Sequence, residues 1–129
     1  MRPYILALAS LLLAPAASAQ PPVGSCINAG QWASMLLHAK SCPRLVLLPE
    51  GTRLLSLSVG QAYARGGDWC VSEGRKEMMA HLVGRHPPLE SAISSGRQRL
   101  VDEALCDAIY GYLSERRDKH GGPPLVGVR

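Results

Sequence analysis

Four cysteines, Cys26, Cys42, Cys70 and Cys106, constrain this chain of 129 residues more than any other feature. What they can do depends on the compartment, and the first nineteen residues speak to that. Arg2 is followed by an uncharged apolar run, Tyr4 to Ala14, then by the helix breaker Pro15 and the small-x-small triplet Ala17-Ser18-Ala19. This is the pattern of a cleavable export signal. It predicts a signal peptide over residues 1–19, cleaved near Ala19. The run is short of the roughly 20 apolar residues that span a bilayer. Gln20, not a cysteine, follows the cleavage point, which argues against a lipid-anchored product. All four cysteines fall after the cleavage point, and an even set in an exported chain reads as two disulfides. Zinc sites usually bring a close Cys-x-x-Cys pair, whereas successive cysteines here are 16, 28 and 36 residues apart.

Cleavage leaves 110 residues, enough for one core and too few for two. Without Arg2 the net charge is +3, and the charges are scattered rather than gathered into a stripe with interleaved aromatics. That excludes a typical nucleic-acid binder. No stretch after the leader is apolar enough for a membrane span.

Residues 20–27 read as a leader. With Asn28 as N-cap, Trp32, Met35, Leu36 and Ala39 fall at helical spacing, and Cys42-Pro43 ends the segment. Residues 44–59 support two readings. Alternation of Leu55, Leu57 and Val59 with serines, plus the turn residues Pro49-Glu50-Gly51, suits a short hairpin. Thr52 as N-cap of a helix to about Arg65 is the other reading, and the weightier one. A further helix starts near Ser72, with Glu73 and Glu77 early and Met78, Met79, Leu82 and Val83 as its apolar face, until Pro87-Pro88 stops it. Residues 87–95 read as a linker. The clearest pattern is Leu100, Val101, Ala104, Leu105, Ala108, Ile109, Tyr112 and Leu113, an apolar face sustained for more than three turns, closed by Arg116 and Arg117. The Gly/Pro-rich end reads as disordered. The expectation is a mainly α fold: a small disulfide-stapled bundle of about four helices over 28–115, with a flexible tail over 116–129.

Helix geometry limits the cysteine pairing. A helix over 28–40 holds Cys26 and Cys42 roughly 18 Å apart at 1.5 Å per residue, and a disulfide needs Cα atoms within about 7 Å. Cys26–Cys42 is excluded, and with it Cys70–Cys106. Either 26–70 with 42–106 or 26–106 with 42–70 remains.

Residues with the chemistry of a site are few. Glu77 and His81 share a helical face, with His86 one turn on and Met78 and Met79 beside them. As ligands these would suit a soft or borderline metal; as structure they are two core methionines and a surface pair, the favoured reading. The serines lack a Gly-x-Ser-x-Gly turn, His38 sits near the end of the first helix, His120 lies in the tail, and Asp102/Glu103 read as solvated. Gly66-Gly67 is a turn, and Trp69 is expected to pack over a disulfide. No catalytic residue, metal ligand or cofactor is expected.

Cys70-Val71-Ser72-Glu73-Gly74, Met79-Ala80-His81-Leu82-Val83-Gly84-Arg85-His86-Pro87 and Gln98-Arg99-Leu100-Val101-Asp102-Glu103-Ala104-Leu105 resemble the C-terminal half of the Tai/Rap immunity proteins of type VI secretion. In that family a cysteine starts a helix ending in His-Pro, followed by a Leu-Val-x-x-Ala-Leu helix. Here Ile109-Tyr110-Gly111 stands where the family closes with a cysteine, so no interface residue carries over. The resemblance implies an exported, helical, disulfide-bonded protein that neutralises a cell-wall amidase toxin. The functional expectation is an exported, non-enzymatic protein-binding factor, inhibitor or immunity-like, with an unknown protein partner, in the periplasm or secreted. The alternatives are a periplasmic stress or chaperone-like protein, to which four histidines would lend pH response, and a metal-binding protein or small enzyme.

Overall fold

Ser25 opens the first helix, α1 (Cys26–Ser41), by accepting the amide of Asn28 on its side chain at 3.1 Å. The computed structural model describes residues 25–129; the signal peptide over 1–19 and most of the 20–27 leader lie outside the described residues. The cap is therefore three residues earlier than Asn28, and Cys26 and Ile27 belong to the helix rather than to the leader. A serine hydroxyl and an asparagine one turn later are equally good caps by type, and only the bond made decides between them. Cys42, extended at φ −74° and ψ 124° ahead of Pro43, ends the helix as expected.

Next come β1 (Leu45–Leu47), α2 (Pro49–Arg65), α3 (Asp68–Arg85), α4 (Pro87–Ser95), α5 (Gln98–His120) and β2 (Val126–Val128). The described residues thus hold five helices and one two-stranded sheet. The mainly α, disulfide-stapled fold is as expected, with one helix more. Residues 44–59 contain no hairpin of their own. Leu45–Leu47 is a strand, but its antiparallel partner is Val126–Val128, with Leu45 opposite Val128 and Leu47 opposite Val126. The helix that follows begins at Pro49, not Thr52. Proline suits the first helical position because its missing N–H would have no partner there.

The same physics corrects the 87–95 linker. Pro87-Pro88 stops α3 and at once serves as the first turn of α4, which buries Leu89 and Ala92 against α5. The third helix likewise starts four residues before Ser72, behind Gly67, whose φ of +63° suits glycine. The 116–129 tail is ordered as well. α5 continues to His120, and after Gly121 the chain returns to β1, where Val126 is buried, the Leu48 amide donates to the Leu125 carbonyl at 3.0 Å, and the Arg129 amide donates to that of Arg44 at 2.9 Å. Glycine and proline content signalled a tail without regular structure; three apolar residues able to pair with a distant strand overrode it.

α1 is the hub. It packs on α2, α3, α5 and β1 and buries residues on all sides, including Trp32, Met35, Leu36 and Ala39. Those residues join Met78, Leu82, Leu89, Leu105, Ile109 and Leu113 in the main core. α1 and α3 touch backbone to backbone. A Cβ on Gly30 would collide with the Cys70 carbonyl, and one on Gly74 with the backbone of Gly30 and Gln31. This crossing selects the pairing: Cys26–Cys70 with Cα atoms 5.3 Å apart, and Cys42–Cys106 at 6.0 Å. Both staples therefore hold α1, one to α3 and one to α5. Arg85 Nη2 and Glu115 Oε1, 2.5 Å apart, tie α3 to α5 at the surface. Among the described residues no helix is long and apolar enough to cross a membrane.

Candidate functional site

Two surface features stand out, and neither is the one the Met/His/Glu pattern pointed to. Met78 is buried and Met79 packs against the core, as the structural reading had it. His81 is exposed, its ring edge-on to Tyr112 with centroids 5.2 Å apart. Glu77, His81 and His86 do not converge as a ligand group.

The first feature is the corner between α2 and α3. Gly66-Gly67 makes the turn, and Tyr63 and Trp69 flank it with 52% and 58% of their surfaces exposed. The sulfurs of Cys70 and Cys26 lie against Gly66, and the indole of Trp69 approaches the same glycine while keeping more than half of its surface in water. The Tyr63 hydroxyl donates to Asp68 Oδ1 at 2.7 Å, a bond that raises the phenol pKa above its ordinary value. The Cys26–Cys70 bridge fixes the residue next to Trp69. A groove of about 510 Å³ begins at Asp68 and runs past Val71 to Leu37, which is itself 47% exposed.

The second feature is a cleft of about 950 Å³ between the end of α1, β1 and α5. His38, Cys42, Asp102, Glu103, Cys106 and Tyr110 line it, with Arg44 and Arg99 at the same opening. The helices place these groups by spacing alone: His38 and Cys42 are one turn apart on α1 and its cap, and Asp102 and Cys106 one turn apart on α5. The imidazole of His38 and the sulfurs of Cys42 and Cys106 lie within 4.8 Å of one another. His38 is half-buried, as expected near a helix end. Burial holds its pKa below 6.5; the charge of Asp102 opposes that shift and the charge of Arg75 adds to it. Asp102 is exposed, as expected, and accepts from Gln98 Nε2 at 2.8 Å. That it lines the same cleft as the Cys42–Cys106 bridge escaped a reading confined to the apolar face of α5. The available signal was the matched spacing of an acid or a histidine four residues before each of two cysteines.

Several serine hydroxyls serve structure. Ser34 donates to the Val71 carbonyl, Ser58 to Leu54 and Ser41 to His38, each bond satisfying a backbone oxygen. Ser41 shares the cleft with His38 but donates to its carbonyl rather than to the ring. His120 ends α5, exposed. Comparison of the chain with protein-family models, with curated proteins and with solved structures found no match.

Proposed function

We propose that this chain is an exported, non-enzymatic protein that works by binding another protein, in the manner of an inhibitor or immunity factor, in the periplasm or after secretion. The observation that carries this reading is the Tyr63–Trp69 corner. Leaving two large aromatic rings more than half in water forfeits part of the burial that their apolar surface offers, and the Tyr63–Asp68 hydrogen bond returns little of it. At protein interfaces the same residue types supply most of the binding energy. The disulfide beside Trp69 and the Tyr63–Asp68 bond hold the pair in place, so little freedom is lost on binding. Two disulfides and the lack of a membrane-spanning helix among the described residues agree with an exported chain. The resemblance of residues 70–105 to immunity proteins points the same way.

The immobilised protein is expected to retain a specific partner from an extract of its own compartment. Trp69→Ala should weaken that retention by about thirtyfold, the effect of losing a hot spot of about 2 kcal/mol. Recovery of no specific partner under several conditions, or full retention by the variant, would refute the proposal.

A further inference from the structure

We infer that the Cys42–Cys106 disulfide is the closed form of a zinc site, in which the reduced Cys42 and Cys106 join His38 as ligands and Asp102 supplies the fourth. Three ligands are already in reach. His38 Nδ1 or Nε2 and the two sulfurs lie within 4.8 Å of one another. In a tetrahedral site with Zn–S of about 2.3 Å and Zn–N of about 2.0 Å, ligand atoms stand about 3.5–3.8 Å apart. The imidazole has to move by about an ångström, while the two sulfurs separate once their bond is cut. Two helices each present a pair one turn apart, His38/Cys42 from α1 and its cap and Asp102/Cys106 from α5, and the bridge joins the pairs at their cysteines, whose Cα atoms are 6.0 Å apart. The set of one imidazole, two thiolates and one carboxylate matches what zinc takes.

Access is provided too. The cleft of about 950 Å³ opens onto the bridge, and Cys106 is half-exposed within it. Cys42 Sγ lies 3.2 Å from the His38 carbonyl, so a thiol formed there has an acceptor waiting. The Cys26–Cys70 bridge has no comparable ring of ligands among the described residues. It stays as a staple while the other one exchanges.

The exchange balances with a dithiol as reductant. Its thiolate attacks Cys106 Sγ, the S–S bond breaks, and Cys42 leaves as a thiolate that takes up a proton. The second thiol of the reductant then displaces Cys106 and closes the reductant's own disulfide. Two electrons and two protons have passed to the protein. Zinc binding to both sulfurs releases those two protons to water. α1 and α5 remain joined throughout, first by sulfur–sulfur and then by sulfur–zinc–sulfur.

The test uses the purified protein with both bridges formed, and the same protein reduced by a dithiol and desalted without air. Each is titrated with zinc against a chromophoric chelator, with cobalt(II) substitution reporting geometry. The expected result is one zinc per reduced chain bound tighter than ~10 μM, none by the oxidised chain, and a tetrahedral thiolate–cobalt spectrum. His38→Ala should weaken binding about tenfold or more and Asp102→Ala about threefold or more, while Cys26→Ala/Cys70→Ala retains the site. The inference is overturned by no binding at that level, including a reduced chain that unfolds and holds no zinc. Equal affinity in His38→Ala or in Cys42→Ala/Cys106→Ala would overturn it as well, and equal affinity in Asp102→Ala would remove the fourth ligand.

Discussion

Single residues in this protein matter through what lies opposite them. Gly74 and Gly111 are both glycines in helices, and propensity alone says that alanine stabilises either site by about 1 kcal/mol. Their surroundings reverse one of the two signs. Nothing lies within 4 Å of a Cβ at Gly111, whereas at Gly74 the added carbon would overlap the backbone of Gly30 and Gln31. Overpacking costs about 1–3 kcal/mol even when side chains can yield, and here the opposing atoms are main chain. Gly111→Ala should therefore raise the urea midpoint, and Gly74→Ala should lower stability by about 2–3 kcal/mol. A Gly74→Ala variant as stable as the parent would mean that α1 and α3 do not cross at this distance. Arg116 makes a related point. Read as a cation suited to a helix end, it stands with its guanidinium 5.0 Å from the centroid of the buried Trp32 ring, a cation–π contact.

At the scale of elements, the strand pair β1–β2 is the least local feature of the chain, since it joins residues 45–47 to residues 126–128. Its contribution is easily removed. Deleting residues 122–129 takes away Val126 and Leu125, and uncovers Leu45, which is 5% exposed in the intact fold. Burial of a Val or Leu side chain is worth about 1.5–3 kcal/mol, offset in part by the entropy of ordering the tail. The truncated chain should lose about 1–3 kcal/mol and keep its helical circular dichroism. Hydrogen exchange should speed up at the Leu48 amide, which loses its bond to Leu125. Unchanged protection at Leu48 would contradict the pairing. β1 was legible only as a short apolar run, and β2 not at all. Three-residue strands have too few positions to show alternation, and their pairing lies in contacts some eighty residues apart.

Across the whole molecule, two crosslinks share the same helix. Chain-entropy reasoning gives about 4 kcal/mol for each, because loops of 44 and 64 residues differ little on a logarithmic scale. Replacing either pair with alanines should then cost about 3–4 kcal/mol, seen as similar shifts in a denaturant melt. Removing both by alanine substitution, which also takes away the sulfurs that zinc would rejoin, should leave the chain unfolded, since small domains hold only about 5–15 kcal/mol. A chain without either bridge that still melts cooperatively at the parent's midpoint would show that the core alone suffices. The core has no phenylalanine, and α1, buried on all sides, depends on neighbours from the whole chain.

The amino-acid order alone determined the helical class, the apolar faces of α3 and α5, and the rule that Cys26 cannot meet Cys42, because each rests on repeat distances along one helix. The helix ends were less legible: Ser25, Pro49 and Pro87 compete with equally suitable neighbours, and a cap is settled by the bond it makes. Which cysteines pair, where the C-terminal residues go, and that His38 meets the Cys42–Cys106 disulfide in a cleft that Asp102 also lines were decided only by tertiary structure. Those outcomes depend on how closely α1 approaches α3 and α5, and that distance is set by residues far apart in sequence, among them Gly30 and Gly74 at the α1–α3 crossing.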